Sequence, residues 1–313
     1  MKVFIELPTW LGDSVMCSAT IENLCLNFPS AKITLFGNKT CLNLFKNQPN
    51  CVNFIKDSSK KSGSRLLNLM RISRSLEHFD VAISFRSHFA SKFLLFCLKA
   101  RQKFCFKYYK NSTHQVEKYL NFLNLNLGLK ELTKEPKLHF LPIKFSRPTL
   151  GLNPGANYGS AKRWKAEYFA TLASRLAEKY DIIIFGVKSE EQLCAEISDI
   201  LSQNNVRFTN LCSKTSIDEL AQNIAGLSLF ITNDSGPMHI ASAFKVPLTA
   251  LFGPTNFIET APFYKENALI LHLDLPCQPC MKRSCPLGHH KCMDELKPDF
   301  VLEKMREFFK ILS

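Results

Sequence analysis

The chain has 313 residues, of which 46% are hydrophobic and 21% charged, so its length and composition favour two domains with buried cores. A formal net charge of +13 indicates a polyanionic partner: nucleic acid, an anionic membrane surface or a phosphorylated substrate. The apolar run before Pro8 is too short for a signal peptide, and the run at 93–98 cannot span a bilayer. We therefore expect a cytoplasmic protein, in which the 12 cysteines stay reduced.

The first half of the chain alternates short β-branched runs with amphipathic stretches. Strands are predicted at 2–7, 32–37, 52–57 and 81–86, and helices at 14–27 and 65–79. This alternation is typical of a parallel sheet covered by helices on both faces.

A proline-containing segment at 133–148 interrupts the pattern, and we expect the domain boundary there, at 145/146. A second series follows, with strands predicted at 150–155, 182–187, 208–211, 227–232, 248–253 and 268–273. The intervening helices are predicted at 165–179, 189–202, 216–225 and 236–244, and an amphipathic helix at 298–313 closes the chain. The fold class is thus α/β, with two doubly wound Rossmann-like domains, 1–145 and 146–313, facing a central cleft.

The stretch NDSGPMHIASA begins at Asn233, where a predicted strand meets a helix. Asp234 or Ser235 suits a helix cap, and Gly236 lets the backbone approach a ligand closely. Free N–H groups at a helix start bind anions, and His239 lies one turn further on, as a further donor. A Ser–His–Asp hydrolase is the weaker reading, because the flanks are not G-x-S-x-G. The pattern favours a cradle for a diphosphate.

A second polar loop, NPGANYGSAKRW, follows the first strand of the second domain. Lys162 and Arg163 beside a glycine-containing loop are typical of phosphate binding. The alternative is a solvated basic loop, with Trp164 packed as a core anchor. The matching loop of the first domain, PTWLGDSVM, places Asp13 at a helix start. Asp13 is a candidate helix cap or general base, although a helix N-terminus stabilises the carboxylate and weakens it as a base.

These loops, together with FGPT at 252–255, resemble the heptosyltransferases of glycosyltransferase family 9 in order and spacing over nearly the whole chain. The resemblance implies a GT-B fold and an inverting transfer that requires no metal or other cofactor. It implies ADP-L-glycero-β-D-manno-heptose as donor and the growing inner core on Kdo–lipid A as acceptor. The first domain would bind the acceptor and the second the nucleotide sugar.

By the same resemblance, Asp13 corresponds to the catalytic base and Lys162 to a lysine that contacts the donor phosphate. The remaining donor-binding positions are Asn157, Tyr158, Thr215, Asp234, Ser235, Gly236 and His239. In this assignment Ser235 and Gly236 give N–H groups to the diphosphate. Asp234 binds a sugar hydroxyl, because a carboxylate does not suit a phosphate.

A cysteine cluster at 277–292 contains Cys277, Cys280, Cys285 and Cys292 and has the spacing of a zinc ribbon fragment. A packed loop without metal is the favoured reading, since the reaction implied by the resemblance needs no metal. Lys282 and Arg283 within it are candidates for contacting acidic acceptor groups.

Two further functions stay open on the sequence: another nucleotide-sugar-dependent transferase of the same fold, and a polyanion-binding module without catalysis. Basic runs at 56–65 and 99–110 lie in the first domain. We expect them to make peripheral contact with the inner face of an anionic inner membrane, where a lipid-linked acceptor resides, and we expect no nucleic-acid partner.

Overall fold

The computed structural model describes residues 1–61, 63–108 and 112–310. Contacts divide the chain into two compact units, Met1–His139 and the part that starts at Phe140, whereas the sequence placed the border at 145/146. Residues 140–145 join the second unit because Ile143 N–H donates to Gln222 O at 3.0 Å. Gly226 makes room for this segment, since a Cβ there would lie 2.0 Å from Ile143 O.

The first unit is a five-stranded, all-parallel sheet in the order β3-β2-β1-β4-β5. Its strands are β1 Lys2–Glu6, β2 Lys32–Gly37, β3 Cys51–Lys56, β4 Phe79–Ser84 and β5 Ala100–Cys105. Its helices are α1 Leu11–Asn27, α2 Lys39–Asn43, α3 Arg65–Ser75, α4 Phe89–Cys97 and α5 Gln115–Leu127. Right-handed crossovers place α3 and α4 on one face of this sheet and α1 on the other, where α5 packs against it.

In the first unit, helices α2, α4 and α5 and strand β5 were not predicted from the sequence. The edge strand β5 carries exposed Arg101, Gln102 and Lys103. It therefore lacks the alternation of apolar and polar residues that indicates a strand, and it was interpreted as a basic run. That run, 99–110, and the run 56–65 extend over positions 109–110 and 62, which lie outside the described residues.

The second unit is a six-stranded, all-parallel sheet in the order β11-β10-β9-β6-β7-β8. Its strands are β6 Thr149–Asn153, β7 Asp181–Ile184, β8 Phe208–Asn210, β9 Leu229–Asn233, β10 Leu248–Leu251 and β11 Ala268–Leu271. Its helices are α6 Ala166–Leu176, α7 Glu191–Gln203, α8 Ile217–Ala225, α9 Gly236–Ala243, α10 Phe257–Thr260, α11 Lys291–Asp294 and α12 Pro298–Phe309. The predicted strands and helices of this unit are all present, with ends shifted by a few residues.

Trp164 anchors the core of the second unit. Its ring is buried, and its Nε1–H donates to Leu296 O at 2.7 Å, which satisfies the indole's polar group. The closing helix α12 packs against α6, and positions 311–313 of the predicted closing helix lie outside the described residues. Within the described part of the chain, every helix is too short or too polar to traverse a lipid bilayer.

Candidate functional site

The strand order of the second sheet reverses between β6 and β9. The chain runs outward from β6 through β7 to β8, crosses back to β9, and continues to β10 and β11. Ligands of open parallel sheets bind beyond the carboxyl ends of strands at such a switch point. The loops that leave Asn153 and Asn233 are therefore brought together there, and they are the two motifs selected from the sequence.

Asn233 at the end of β9 fixes the loop that follows β6. Its side-chain amide donates to Pro154 O at 2.7 Å, and its Oδ1 accepts from the N–H of Trp164 at 3.1 Å. The loop between these two anchors carries Asn157, Tyr158 and Lys162, so their backbone is held beside β9.

Ser235 precedes α9 with an extended backbone and makes no side-chain capping bond to the helix. Its Oγ instead accepts from Asn153 Nδ2 at 3.1 Å and lies 3.2 Å from Thr232 Oγ1. Because the serine side chain does not cap α9, it leaves the N–H groups of the first turn to an anion, and the helix dipole favours negative charge there. Gly236 opens this turn and His239 is buried in it.

Lys162 forms an ion pair with the carboxylate of Asp234, and the two side chains are only 11% and 5% exposed. Thr255 Oγ1 donates to the same Asp234 oxygen, Oδ2, at 2.6 Å. Asp234 thus holds the lysine ammonium beside the start of α9. The hydrolase reading is disfavoured, because the Asp234 carboxylate is engaged by Lys162 and Thr255 and the Ser235 hydroxyl by neighbouring polar groups.

Tyr158 is contacted by two cations. Lys162 Nζ lies 4.8 Å and Arg283 Cζ 5.6 Å from the ring centroid, both within the range of cation–π attraction. The tyrosine hydroxyl donates to Met281 O at 2.8 Å, so the cysteine-containing segment fixes the ring. Arg283, which the sequence suggested for the acceptor, thus lies beside the predicted donor loop.

Two glycines allow close approaches around this loop. A Cβ on Gly159 would lie 2.2 Å from Arg283 O, which also accepts the N–H of Ala161 at 3.0 Å. A Cβ on Gly155 would lie about 2 Å from the carboxylate of Glu190, a buried side chain that accepts from the N–H of Val187. Any larger residue at either position would displace the loop.

The predicted donor residues are not equally close to one another. Tyr158, Lys162, Asp234, Ser235, Gly236 and His239 are brought together by β6, β9 and α9, and Asn157 is exposed in the same loop as Tyr158. Thr215 is half-buried after β8, two strands from β6 in the sheet, which corresponds to roughly 10 Å.

Sequence reasoning missed three polar residues of this site. Thr255 lies in the FGPT stretch, Asn153 is the last residue of β6, and Glu190 follows β7. A polar residue at the end of a buried strand, or in the segment that leaves it, is the signal that could identify them, because these positions lie at the carboxyl edge of the sheet.

Asp13 lies in the first turn of α1, after β1, which is one of the two strands at the switch point of the first sheet. The hydroxyl of Tyr119 hydrogen-bonds to the Asp13 carboxylate. Burial, followed by the nearby charge of Asp13, raises the pKa of Tyr119 well above its usual value, so the phenol stays protonated and donates. The tyrosine therefore orients the carboxylate.

Arg86, which follows β4, is buried. Its Nη1 lies 3.1 Å from Glu6 Oε1 and 3.6 Å from Asp57 Oδ2, and its Nε donates to Leu7 O at 2.7 Å. This ion-pair network braces the loop between β1 and α1 that carries the candidate base.

Cys277, Cys280, Cys285 and Cys292 line one cavity of about 20 Å³, and their thiols are free. Backbone N–H groups, first that of His290, lower the pKa of Cys285, whereas burial and then the neighbouring Cys277 raise the pKa of Cys292 to about 11. Across residues 1–61, 63–108 and 112–310, no group of three or more His, Cys, Asp or Glu side chains is arranged to hold a metal ion. A packed loop without metal and a zinc site both stay predictions. The contacts of Met281 and Arg283 with Tyr158 give this segment a packing role in the donor loop, so we favour the packed loop.

Comparisons with known proteins place this geometry in a family. The sequence profile of glycosyltransferase family 9 (heptosyltransferase) matches residues 69–291. Lipooligosaccharide heptosyltransferase 2 of Campylobacter jejuni is 45% identical, over 99% of both chains. Lipooligosaccharide heptosyltransferase 2 of Haemophilus ducreyi is 28% identical, over 98% of this chain and 99% of its own.

Solved structures agree with the fold. A family 9 glycosyltransferase of Veillonella parvula superposes with a TM-score of 0.82 at 20% identity, covering 99% of this chain and 97% of its own. The ADP-heptose heptosyltransferase II of Escherichia coli superposes with a TM-score of 0.79 at 24% identity, covering 99% of each chain. These neighbours confirm the two parallel-sheet domains of the GT-B class. From the profile match and the full-length relatives, the chain belongs to glycosyltransferase family 9 and is a glycosyltransferase.

Proposed function

We propose that this chain transfers L-glycero-D-manno-heptose from ADP-heptose to the inner core of lipopolysaccharide or lipooligosaccharide, as a heptosyltransferase II. The acceptor is heptosyl-Kdo-lipid A, which receives its second heptose. The names of the full-length relatives support this assignment. The observation that carries it in the structure is the start of α9, which the Ser235 side chain does not cap, with the Lys162–Asp234 pair beside it.

The donor diphosphate binds at the start of α9 in this proposal. The N–H groups of the first helical turn donate hydrogen bonds to the phosphate oxygens, and Lys162 adds a charge-assisted contact while Asp234 holds it in position. A lysine and a helix N-terminus compensate the charge that develops on the leaving ADP, so this scheme assigns no role to a metal. Asp234 also suits a sugar hydroxyl, because a carboxylate is repelled by a phosphate.

Asp13 is the proposed catalytic base. Its carboxylate removes the proton from the acceptor hydroxyl, whose oxygen then forms a bond to the anomeric carbon while the bond to the ADP oxygen breaks. Attack from the face opposite the leaving group inverts the anomeric configuration. Tyr119 keeps the carboxylate oriented by donating a hydrogen bond to it.

The acceptor is lipid-linked, so the proposed location is cytoplasmic and peripheral, at the inner face of the inner membrane. Cationic segments on the first unit support such an association.

Calorimetric titration tests the donor assignment. We expect ADP and ADP-heptose to bind with a stoichiometry of one, and UDP- and GDP-sugars to bind much more weakly. Tighter binding of a UDP- or GDP-sugar would replace the proposal with the second candidate, another nucleotide-sugar-dependent transferase of this fold. Binding of none of them would refute a donor site.

A further inference from the structure

The helix α4 exposes an aromatic face that the first unit does not cover. Phe89 and Phe96 are 70% and 79% exposed, and the exposed Lys92 lies between them on the same side of the helix, whereas Phe93 is half-buried against the core. Seven residues of helix separate the two exposed phenylalanines by about 10 Å along the axis. The opposite side of α4, including Leu94 and Leu95, packs into the core of the unit.

Cations surround this aromatic face. Lys103 on β5 donates from Nζ to Phe96 O at 3.0 Å, which places its ammonium at the end of α4. Lys92, Lys99 and Arg101 are exposed around the same helix. The neighbouring helix α3 adds the exposed Arg71 and Arg74.

Acidic residues are scarce in this part of the chain. Between positions 65 and 105 the sequence contains only Glu77 and Asp80, and both contact Lys2, through its ammonium and its backbone N–H respectively. The face of α3, α4 and β5 is therefore cationic around two exposed aromatic rings. An anionic lipid surface matches both features, since headgroups attract the cations and the interfacial zone accepts the rings.

We propose that α4 is the membrane-docking element of this protein: Phe89 and Phe96 insert into the interfacial zone of an anionic bilayer, and the surrounding Lys and Arg side chains contact its headgroups. The inference rests on the proposed function, because a lipid-linked acceptor is what makes a bilayer the partner. It also assigns the docking to α4, which the sequence analysis did not recognise, rather than to the basic runs alone. Docking would bring the first unit to the surface that displays the acceptor.

The test is vesicle flotation of the full-length protein with phosphatidylethanolamine vesicles, with and without phosphatidylglycerol. The double variant Phe89→Ser/Phe96→Ser should bind anionic vesicles roughly a hundredfold more weakly, at about tenfold for each ring removed. Leu125→Ser is the matched control, since Leu125 is 84% exposed on α5, which packs on the other face of the sheet, and its loss should leave binding unchanged. Equal melting temperatures would show that both variants fold.

A charge variant tests the headgroup contacts. Lys92→Glu/Arg101→Glu should weaken binding to anionic vesicles by more than tenfold, whereas Lys32→Glu/Lys265→Glu, which reverses two exposed lysines elsewhere, should have little effect. Wild-type binding that ignores phosphatidylglycerol, or an unchanged affinity of the double phenylalanine variant, would overturn the proposal. Absence of vesicle binding by the wild type would also overturn it.

Transferase assays with soluble and with vesicle-bound acceptor test the docking role separately from the proposed function. With a delipidated, soluble acceptor, the phenylalanine variant should turn over like the wild type, whereas with acceptor in vesicles its apparent KM should rise. A comparable loss on the soluble acceptor would overturn the docking role. Failure of the wild type to transfer heptose would refute the proposed function, while the vesicle-binding result would still decide the docking.

Discussion

Replacing Lys162 with methionine should weaken ADP binding and destabilise the second unit, for two separable reasons. The side chain is 11% exposed and pairs with the 5% exposed Asp234. Removing one partner of a buried pair leaves an uncompensated charge, which typically costs about 3–5 kcal/mol of unfolding free energy. Loss of a charge-assisted phosphate contact costs about 1.5–3 kcal/mol, so ADP affinity should fall roughly 10- to 100-fold.

The double variant Lys162→Met/Asp234→Asn separates these effects. It removes both buried charges, so thermal unfolding should show stability partly restored, while calorimetry should show ADP affinity still low. Lys165→Met is the control, because this nearby lysine is 40% exposed and its ion pairs to Glu167 and Asp294 are long, at 3.8 and 3.6 Å. Unchanged ADP affinity in Lys162→Met would refute the phosphate role. Full recovery of ADP affinity in the double variant would show that Lys162 only neutralises Asp234.

Three other predictions follow from the site and its surroundings. Asp13→Asn should lower turnover by roughly 10²–10⁴ with ADP affinity intact, and a parallel loss of affinity in calorimetry would mean that Asp13 is structural. Glu22 has its pKa lowered to about 2, chiefly by the hydrogen bond from His139, so its contribution to stability is present above the unfolded-state pKa near 4.5 and is lost as pH falls toward 2. The free energy of unfolding, measured with denaturant, should therefore depend less on pH between about 5 and 2 in Glu22→Gln than in the wild type. Identical pH profiles of the two proteins would exclude this linkage. Metal analysis of purified protein should give background zinc, since we favour the packed loop for Cys277–Cys292; one zinc per chain, with loss of stability on chelation, would establish the zinc site instead.

The second unit was predictable from sequence because its strands are buried apolar runs separated by helices with clear starts. In α8, for example, Ser216 and Glu219 form a reciprocal capping box. Short motifs after such strands identify a site without any knowledge of distant contacts, since parallel strands bring their carboxyl ends to one edge. This is why the loops containing Lys162 and Asp234 were selected together.

Long-range pairing was not predictable in the same way. Lys162 and Asp234 are 72 residues apart, and no local pattern indicates that they form an ion pair rather than two separate ligand contacts. The secondary structure of residues 89–105 was not predicted for a different reason. In α4, Phe89 and Phe96 are exposed whereas Phe93 packs against the core, and cations cover the edge strand β5, so neither the helical nor the strand period stands out.

The central claim is tested most directly by incubating the protein with ADP-heptose and heptosyl-Kdo-lipid A and measuring the product by mass spectrometry. The account predicts an acceptor heavier by one heptose residue, with release of one ADP per transfer, and little product when Asp13 is replaced by asparagine or when the donor is a UDP- or GDP-sugar. An acceptor that gains no heptose from ADP-heptose, while the same protein transfers a sugar from another nucleotide donor, would contradict it.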